Sequence, residues 1–204
     1  MNRSKDLCKL REKISKVQDT KRFEHTLGVE YTAAALAMRY HQPIIDAQIA
    51  GILHDCTKCL SDNKQLKICE ENNIKITEIE SRNPFLLHGK TGALMAKTKY
   101  GIENEDILNA IRFHTTGRQG MSVLEKIIFV ADYIEPGRNK AENLGIIRGM
   151  AFENLDKALV KILEDTLSYL KNTDGEIDSM TEITLQYYKN DLDNYAYEQE
   201  VKNE

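Results

Sequence analysis

Apolar residues in this chain recur three and four positions apart and almost nowhere alternate with polar ones. That spacing is the period of a helix and excludes a sheet with one face in water. Leu7, Leu10, Ile14 and Val17 mark a first amphipathic helix, and residues 21–40 carry Leu27, Tyr31, Ala34, Ala35 and Met38 along one side. Pro43 suits the first turn of a third helix, and further helices are expected over 61–72, 88–100, 104–114, 121–135, 152–171 and 179–195. Ser122 and Glu125 form a capping box for the helix near 121, and Phe152, Leu155, Leu159, Ile162 and Leu163 define a core stripe for the one at 152. No Asn-Gly or Asp-Gly hairpin separates alternating runs. Without a repeat or a linker, the expectation is one all-α bundle over residues 1–204, with an acidic tail, YEQEVKNE, frayed from about 197.

At 204 residues, 41% hydrophobic and 29% charged, the chain can bury a full core without disulfides. A net charge of −4, the absence of Trp and the lack of a basic-aromatic stripe speak against a nucleic-acid partner. No apolar run reaches the roughly 20 residues of a membrane span, and the start, MNRSKDLCKLREK, has no apolar signal core, so a cytoplasmic protein with reduced cysteines is expected.

One stretch, IAGILHDCTKC at 49–59, poses the chemical question. From Ile44 to Leu53 only Asp46 and Gln48 are polar, so this helix should lie in the middle of the bundle, and its end carries His54 and Asp55 toward the core. A buried carboxylate needs a strong partner, either a metal ion or an Arg or Lys. His25 points inward on a stripe with Val29, Thr32, Ala33 and Leu36, and Asp132 follows Leu124 and Ile128 on an apolar side of its helix. Each residue alone reads as an ordinary core His or helix-end carboxylate. Together, two imidazoles and two carboxylates delivered by separate helices suit a divalent ion such as Fe, Mn, Co or Zn.

The order His25, His54-Asp55, Asp132 resembles the signature of the HD-domain metal-dependent phosphohydrolases. RFEHTLGV at 22–29, HDCTK at 54–58, NPFLLHGKTGA at 83–93 and IRFHTTGRQGMSVLEKIIFVADYIEPGR at 111–138 carry the resemblance further, to the bacterial symmetrical bis(5'-nucleosyl)-tetraphosphatases, over roughly residues 5–190. That resemblance implies an HD-domain helical bundle, one iron-type centre on His25, His54, Asp55 and Asp132, and cleavage of diadenosine tetraphosphate into two ADP. It also implies a dinucleoside polyphosphate or ADP site at Arg22, His88, His114, Asp132, Tyr133 and Arg138.

The expected chemistry is a metal-acidified water attacking phosphorus beside Asp55, with His88 and His114 donating hydrogen bonds to phosphate and one of them protonating the leaving group. Arg138, just past Pro136-Gly137, offers a guanidinium fork, and Lys58 adds charge one turn from His54. One ion is favoured over two, in which case Asp55 would bridge and His88 and His114 would ligate the second. Glu125 is accounted for by capping and His41 by ending its helix. Cys56 and Cys59 lack the second pair of a zinc ribbon and the βαβ setting of a redox motif, and read as small buried or half-buried thiols.

Two other functions share these residues: an HD hydrolase for mononucleotides or cyclic dinucleotides, and a non-catalytic nucleotide-binding regulatory module. Tyr187, Tyr188, Tyr195 and Tyr197 leave apolar surface for a homodimer, and residues 172–181 form a turn-rich joint able to fold back over a nucleotide.

Overall fold

Helices make up the regular structure of the computed structural model, and no strand occurs among the described residues. The description covers residues 3–173 and 175–203, with side chains at 6–173 and 175–194. In chain order they are α1 (Arg3–Ser15), α2 (Thr20–Arg39), α3 (Ile44–Leu53), α4 (Asp62–Glu71), α5 (Glu78–Arg82), a 3-10 turn (Pro84–Leu87), α6 (His88–Thr98), α7 (Glu105–Arg112), α8 (Val123–Ile134), α9 (Leu144–Glu153), α10 (Leu155–Asn172) and α11 (Ser179–Asn203).

Polar caps set the starts. Asp19 accepts from Arg22 N at the head of α2, Asn104 from Asp106 N at α7, and Thr77 with Glu80 and Ser122 with Glu125 close capping boxes on α5 and α8. The left-handed His41 (φ 55°) ends α2, where Gln42 N bonds back to Ala37 O at 2.9 Å.

The mostly apolar α3 lies in the middle, as its composition suggests, and packs on α1, α2, α7 and α8. Ala47, Ala50, Gly51, Ile52 and Leu53 are buried there, and α8 adds Ile127, Ile128 and Val130 while α10 adds Leu159, Ile162 and Leu163 to the same core. Burying each large aliphatic side chain contributes about 1.5–3 kcal/mol. Contact between α2 and α3 is close enough that a Cβ on Gly51 would stand 2.9 Å from Glu30 Cα. Glu30, fully buried at that crossing, is matched by Arg11 (2.8 and 2.5 Å) and Gln48 (3.0 Å). No helix among the described residues is long and apolar enough to cross a membrane.

Several elements differ from the sequence expectation. The helix α9 was not expected from the sequence, and the helix expected over 152–171 begins three residues later: Asn154 leaves helical geometry (φ −147°, ψ 108°), and its side chain caps α10 by accepting from Lys157 N. Phe152 therefore belongs to α9 and is exposed, whereas Leu155, Leu159, Ile162 and Leu163 are buried. On α2 the buried stripe is that of Val29, Ala33 and Leu36, while Tyr31 and Met38 face solvent; Val17 lies past the end of α1 and is also exposed. Pro43 precedes α3 and does not belong to its first turn. Tyr188 is buried on α11 and accepts from Met121 N (2.7 Å), so it is not surface spare for a dimer. Tyr195 and Tyr197 have side chains outside the described residues, but the backbone of the tail expected to fray from about 197 continues α11 as helix to Asn203, eight residues past the expected end at 195.

Candidate active site

Five segments bring their polar residues to one point. His25 comes from the inward stripe of α2 and Asp132 from the last turns of α8. His54 and Asp55 head the tight turn after α3, held by Cys56 N to Leu53 O (3.1 Å) and Lys58 N to Asp55 O (3.0 Å). His88 is the first residue of α6, and His114 stands in the turn after α7.

The two oxygens of Asp55 face different pairs of rings. Oδ2 is 3.4 Å from His54 Nε2 and 3.9 Å from His25 Nε2, and Oδ1 is 3.4 Å from His88 Nε2 and 3.6 Å from His114 Nε2. Asp132 Oδ1 is 3.0 Å from His25 Nε2 and 4.0 Å from His54 Nε2.

Tautomers follow from what lies behind each ring. Nδ1 of His54, His88 and His114 donates to the carbonyl three residues back, at Gly51, Phe85 and Ile111, each at 2.7 Å. Nδ1 of His25 donates to Glu135 Oε1 at 3.1 Å. Carbonyls and carboxylates only accept, so the Nδ1 atoms carry the protons and each Nε2 turns a lone pair to the centre. Two such pairs meet directly, His25 with His54 at 3.4 Å and His88 with His114 at 3.1 Å. Facing lone pairs at these distances repel unless a positive charge sits among them.

Burial disfavours the charged forms of Asp55 and Asp132, but the surrounding imidazoles, and Arg138 at Asp132, outweigh it and hold both carboxyls well below the usual range. The centre thus attracts positive charge, carried either by protons on the rings or by a metal ion. Burial, with the charges of His114 and Lys58, pushes His88 down to about 3, so that ring stays neutral near pH 7 and its lone pair awaits a cation. Ligand atoms of His25-His54-Asp55, of His54-His114-Asp132 and of Asp55-His88-His114 each lie within 4.8 Å of one another, and this donor set of imidazoles and carboxylates fits a divalent ion.

Cations ring the centre. Arg22 Nη1 meets Asp55 Oδ2 at 2.7 Å, and Arg138 grips Asp132 through Oδ1 (2.7 Å) and the backbone carbonyl (3.0 Å). Lys58 Nζ lies 3.3–3.4 Å from the ring nitrogens of His88, and burial lowers its pKa against the pull of Asp55. Tyr133 is only half-buried against the core and makes no hydrogen bond to the cluster. The rings of His88 and His114 present acceptors to the centre, whereas the sequence cast them as donors to phosphate.

Sequence reasoning missed Glu135. It is buried, orients His25 through Oε1 and accepts from Gly137 N through Oε2 (2.6 Å), so one carboxylate joins a candidate ligand to the turn bearing Arg138. Gly28 is needed opposite it, since a Cβ there would collide with Oε2. The one signal that could have drawn notice to it is an acid just past the end of α8, before Pro136-Gly137. Arg148 of α9 fastens the same turn through the carbonyls of Ile134 (2.9 Å), Glu135 (2.9 Å) and Arg138 (2.8 Å). Gln18 ties the backbone of Asp55 to Thr26 on α2.

Glu125 completes its capping box and pairs with Arg118, apart from the centre. Cys56 is buried, its Sγ 3.7 Å from Gly92 O, and burial raises its pKa to about 12, which keeps it a thiol. Cys59, expected buried or half-buried, is exposed beside Asp19. Glu176, in the joint before α11, accepts from Arg82 Nε (2.9 Å) and Asn83 Nδ2 and so pins that joint to the residues before His88.

With this geometry in view, the model of the HD domain matches residues 22–137. The chain belongs to the HD-domain family. The HD segment holds all six ring and carboxylate residues of the centre, and Arg138 lies one position beyond it. Relatives named "Bis(5'-nucleosyl)-tetraphosphatase, symmetrical" include one from Bacillus subtilis, 36% identical over 83% of this chain and 88% of its own length. Another, from Staphylococcus aureus, is 38% identical over 82% of this chain and 87% of its own length. A crystal structure from Clostridium acetobutylicum, described as a "predicted HD superfamily hydrolase involved in NAD metabolism", superposes with a TM-score of 0.86 at 40% identity and covers 89% of this chain and 96% of that one. The HD fold of this protein is all-helical, and its His/Asp cluster is one that could bind a divalent metal.

Proposed function

We propose that this protein is a symmetrical bis(5'-nucleosyl)-tetraphosphatase, hydrolysing diadenosine tetraphosphate to two ADP. The observation that carries the reading is the convergence of four Nε2 lone pairs on Asp55 and Asp132, under a rim of Arg22, Lys58 and Arg138. The relatives named for that activity, aligned over most of both chains, supply the substrate.

In this reading His25, His54, Asp55 and Asp132 hold one ion, iron on the family resemblance, with Mn, Co or Zn as alternatives. Such an ion supplies an acidified water and polarises a phosphoryl oxygen. Asp55 orients the attacking water. Arg22 and Arg138 exchange part of their hold on Asp55 and Asp132 for phosphoryl oxygens, to which their planar forks are matched. Lys58 balances the charge of the bridging phosphates from the His88 side. Tyr133, next to Asp132, is assigned to the nucleotide on the resemblance alone. The reading places the enzyme in the cytoplasm, as a monomer or homodimer acting on a soluble nucleotide with no nucleic acid or membrane.

A second reading is favoured by one observation: Asp55 Oδ1 faces His88 and His114, whose lone pairs point inward. These three would hold a second ion, with Asp55 bridging. Anaerobic purification, metal counting and incubation with diadenosine tetraphosphate test both. ADP alone supports the symmetrical hydrolase, and AMP with ATP refutes the phosphate register. No turnover with Fe, Mn or Co shifts the function to another nucleotide or to a binding module. Two ions per chain, falling to one in His114→Ala, would establish the second reading of the centre.

A further inference from the structure

Phe85 is a large apolar side chain left 53% exposed at the edge of the centre, although Pro84 and Leu87 on the same 3-10 turn are buried. Its placement is fixed by backbone. Leu86 N bonds Asn83 O (3.0 Å), and Phe85 O accepts from Nδ1 of His88 (2.7 Å), so the residue that aims His88 inward also carries the outward ring. From the other side, Glu176 holds Arg82 and Asn83, immediately ahead of the turn.

The ring is already in line with the charged groups. Lys58 Nζ lies 5.8 Å from its centroid and 3.3–3.4 Å from the His88 ring nitrogens, and His88 Nε2 lies 3.4 Å from Asp55 Oδ1. Carboxylate, imidazole, ammonium and phenyl ring thus follow one another from the buried centre to the surface. A polyphosphate bound along the first three would bring its nucleoside out at the fourth. A half-exposed phenyl ring with a cation against it retains area for a second flat partner, and nucleobases stack on such rings whatever their hydrogen-bonding edges.

We propose that Phe85 is the stacking platform for a nucleoside base of the substrate, a specificity-determining residue that discriminates nucleotides from bare phosphates and tolerates adenine and guanine alike. The proposal rests on the nucleotide-hydrolase reading for its ligand.

The chain has no Trp, so Phe85→Trp makes the sole indole a direct reporter. In the metal-loaded variant, ADP and GDP should quench its emission saturably, and inorganic pyrophosphate should not. In Phe85→Ala, KM for diadenosine tetraphosphate should rise on the order of tenfold with kcat within about twofold, and Phe85→Tyr should restore KM. Quenching by pyrophosphate equal to that by ADP, no quenching by either nucleotide, or a loss of kcat with KM unchanged would overturn the platform, the last leaving Phe85 as a support for His88. Should the wild-type protein fail to hydrolyse diadenosine tetraphosphate at all, the hydrolase reading falls, while the ADP titration still decides whether a base stacks on this ring.

Discussion

Each imidazole of the centre has its outer nitrogen committed before any ligand arrives, and that fixes what single substitutions should do. Asp55 is the one residue in contact with all four rings, so Asp55→Ala should remove bound metal and hydrolysis together; elemental analysis that still finds full metal would displace Asp55 from the centre. Gly28→Ala acts one step further out, by pressing on Glu135 and loosening His25 and Gly137 at once. Its metal affinity should fall about 10- to 100-fold, the usual effect of disturbing a ligand's hydrogen-bond partner, and unchanged affinity in a metal titration would mean that Glu135 swings aside freely. His25, His54, Asp55 and Asp132 were legible because they sit on, or directly follow, apolar helical stripes, where a polar side chain has no other reason to be. Glu135 was not, since its value depends on a glycine more than a hundred positions away and on the turn that brings the two together. The tautomers were equally hidden: nothing in the spacing of a His tells which carbonyl lies behind its ring.

At the scale of the helix, position is set by how closely backbones approach. Gly51 lets α3 lie against Glu30 of α2, and the turn that follows α3 delivers His54 and Asp55 opposite His25. Gly51→Ala should cost about 1–3 kcal/mol of stability and weaken metal retention, because the helices that carry the ligands must part; loss of stability in thermal melts with metal affinity intact would separate the crossing from the site. On the far side, Tyr188→Phe strips Met121 N of its partner and should cost about 1–3 kcal/mol, read as a lower denaturation midpoint with metal content unchanged. Helices α2, α4 and α8 could be read from the sequence to within a few residues, whereas α9 went unread and α11 runs eight residues past its expected end. The break at Asn154 could not, because Phe152 and Leu155 keep helical spacing across it, and a single residue in extended geometry does not disturb the pattern. α5 and the 3-10 turn are too short to show a period, although Thr77 and Glu80 spelled out a capping box that was there to be seen.

For the molecule as a whole, the centre is a cost unless it is filled. Two carboxylates and four inward lone pairs, mostly buried among helices α2, α3, α6, α7 and α8, oppose the packing that surrounds them. Chelation should therefore lower the melting temperature by several degrees, and restoring an ion at a hundred times its dissociation constant should return about 2.7 kcal/mol; identical melts with and without chelator would show that protons on the rings serve as well as an ion. The three imidazoles of His54, His88 and His114 are each latched to the carbonyl of their own preceding turn. Such latches are local and do not wait for distant helices to dock. These three rings are aimed as soon as their own turns form, so the time course of ion uptake by the stripped protein should rise in proportion to ion concentration, without a lag for them to find their orientation.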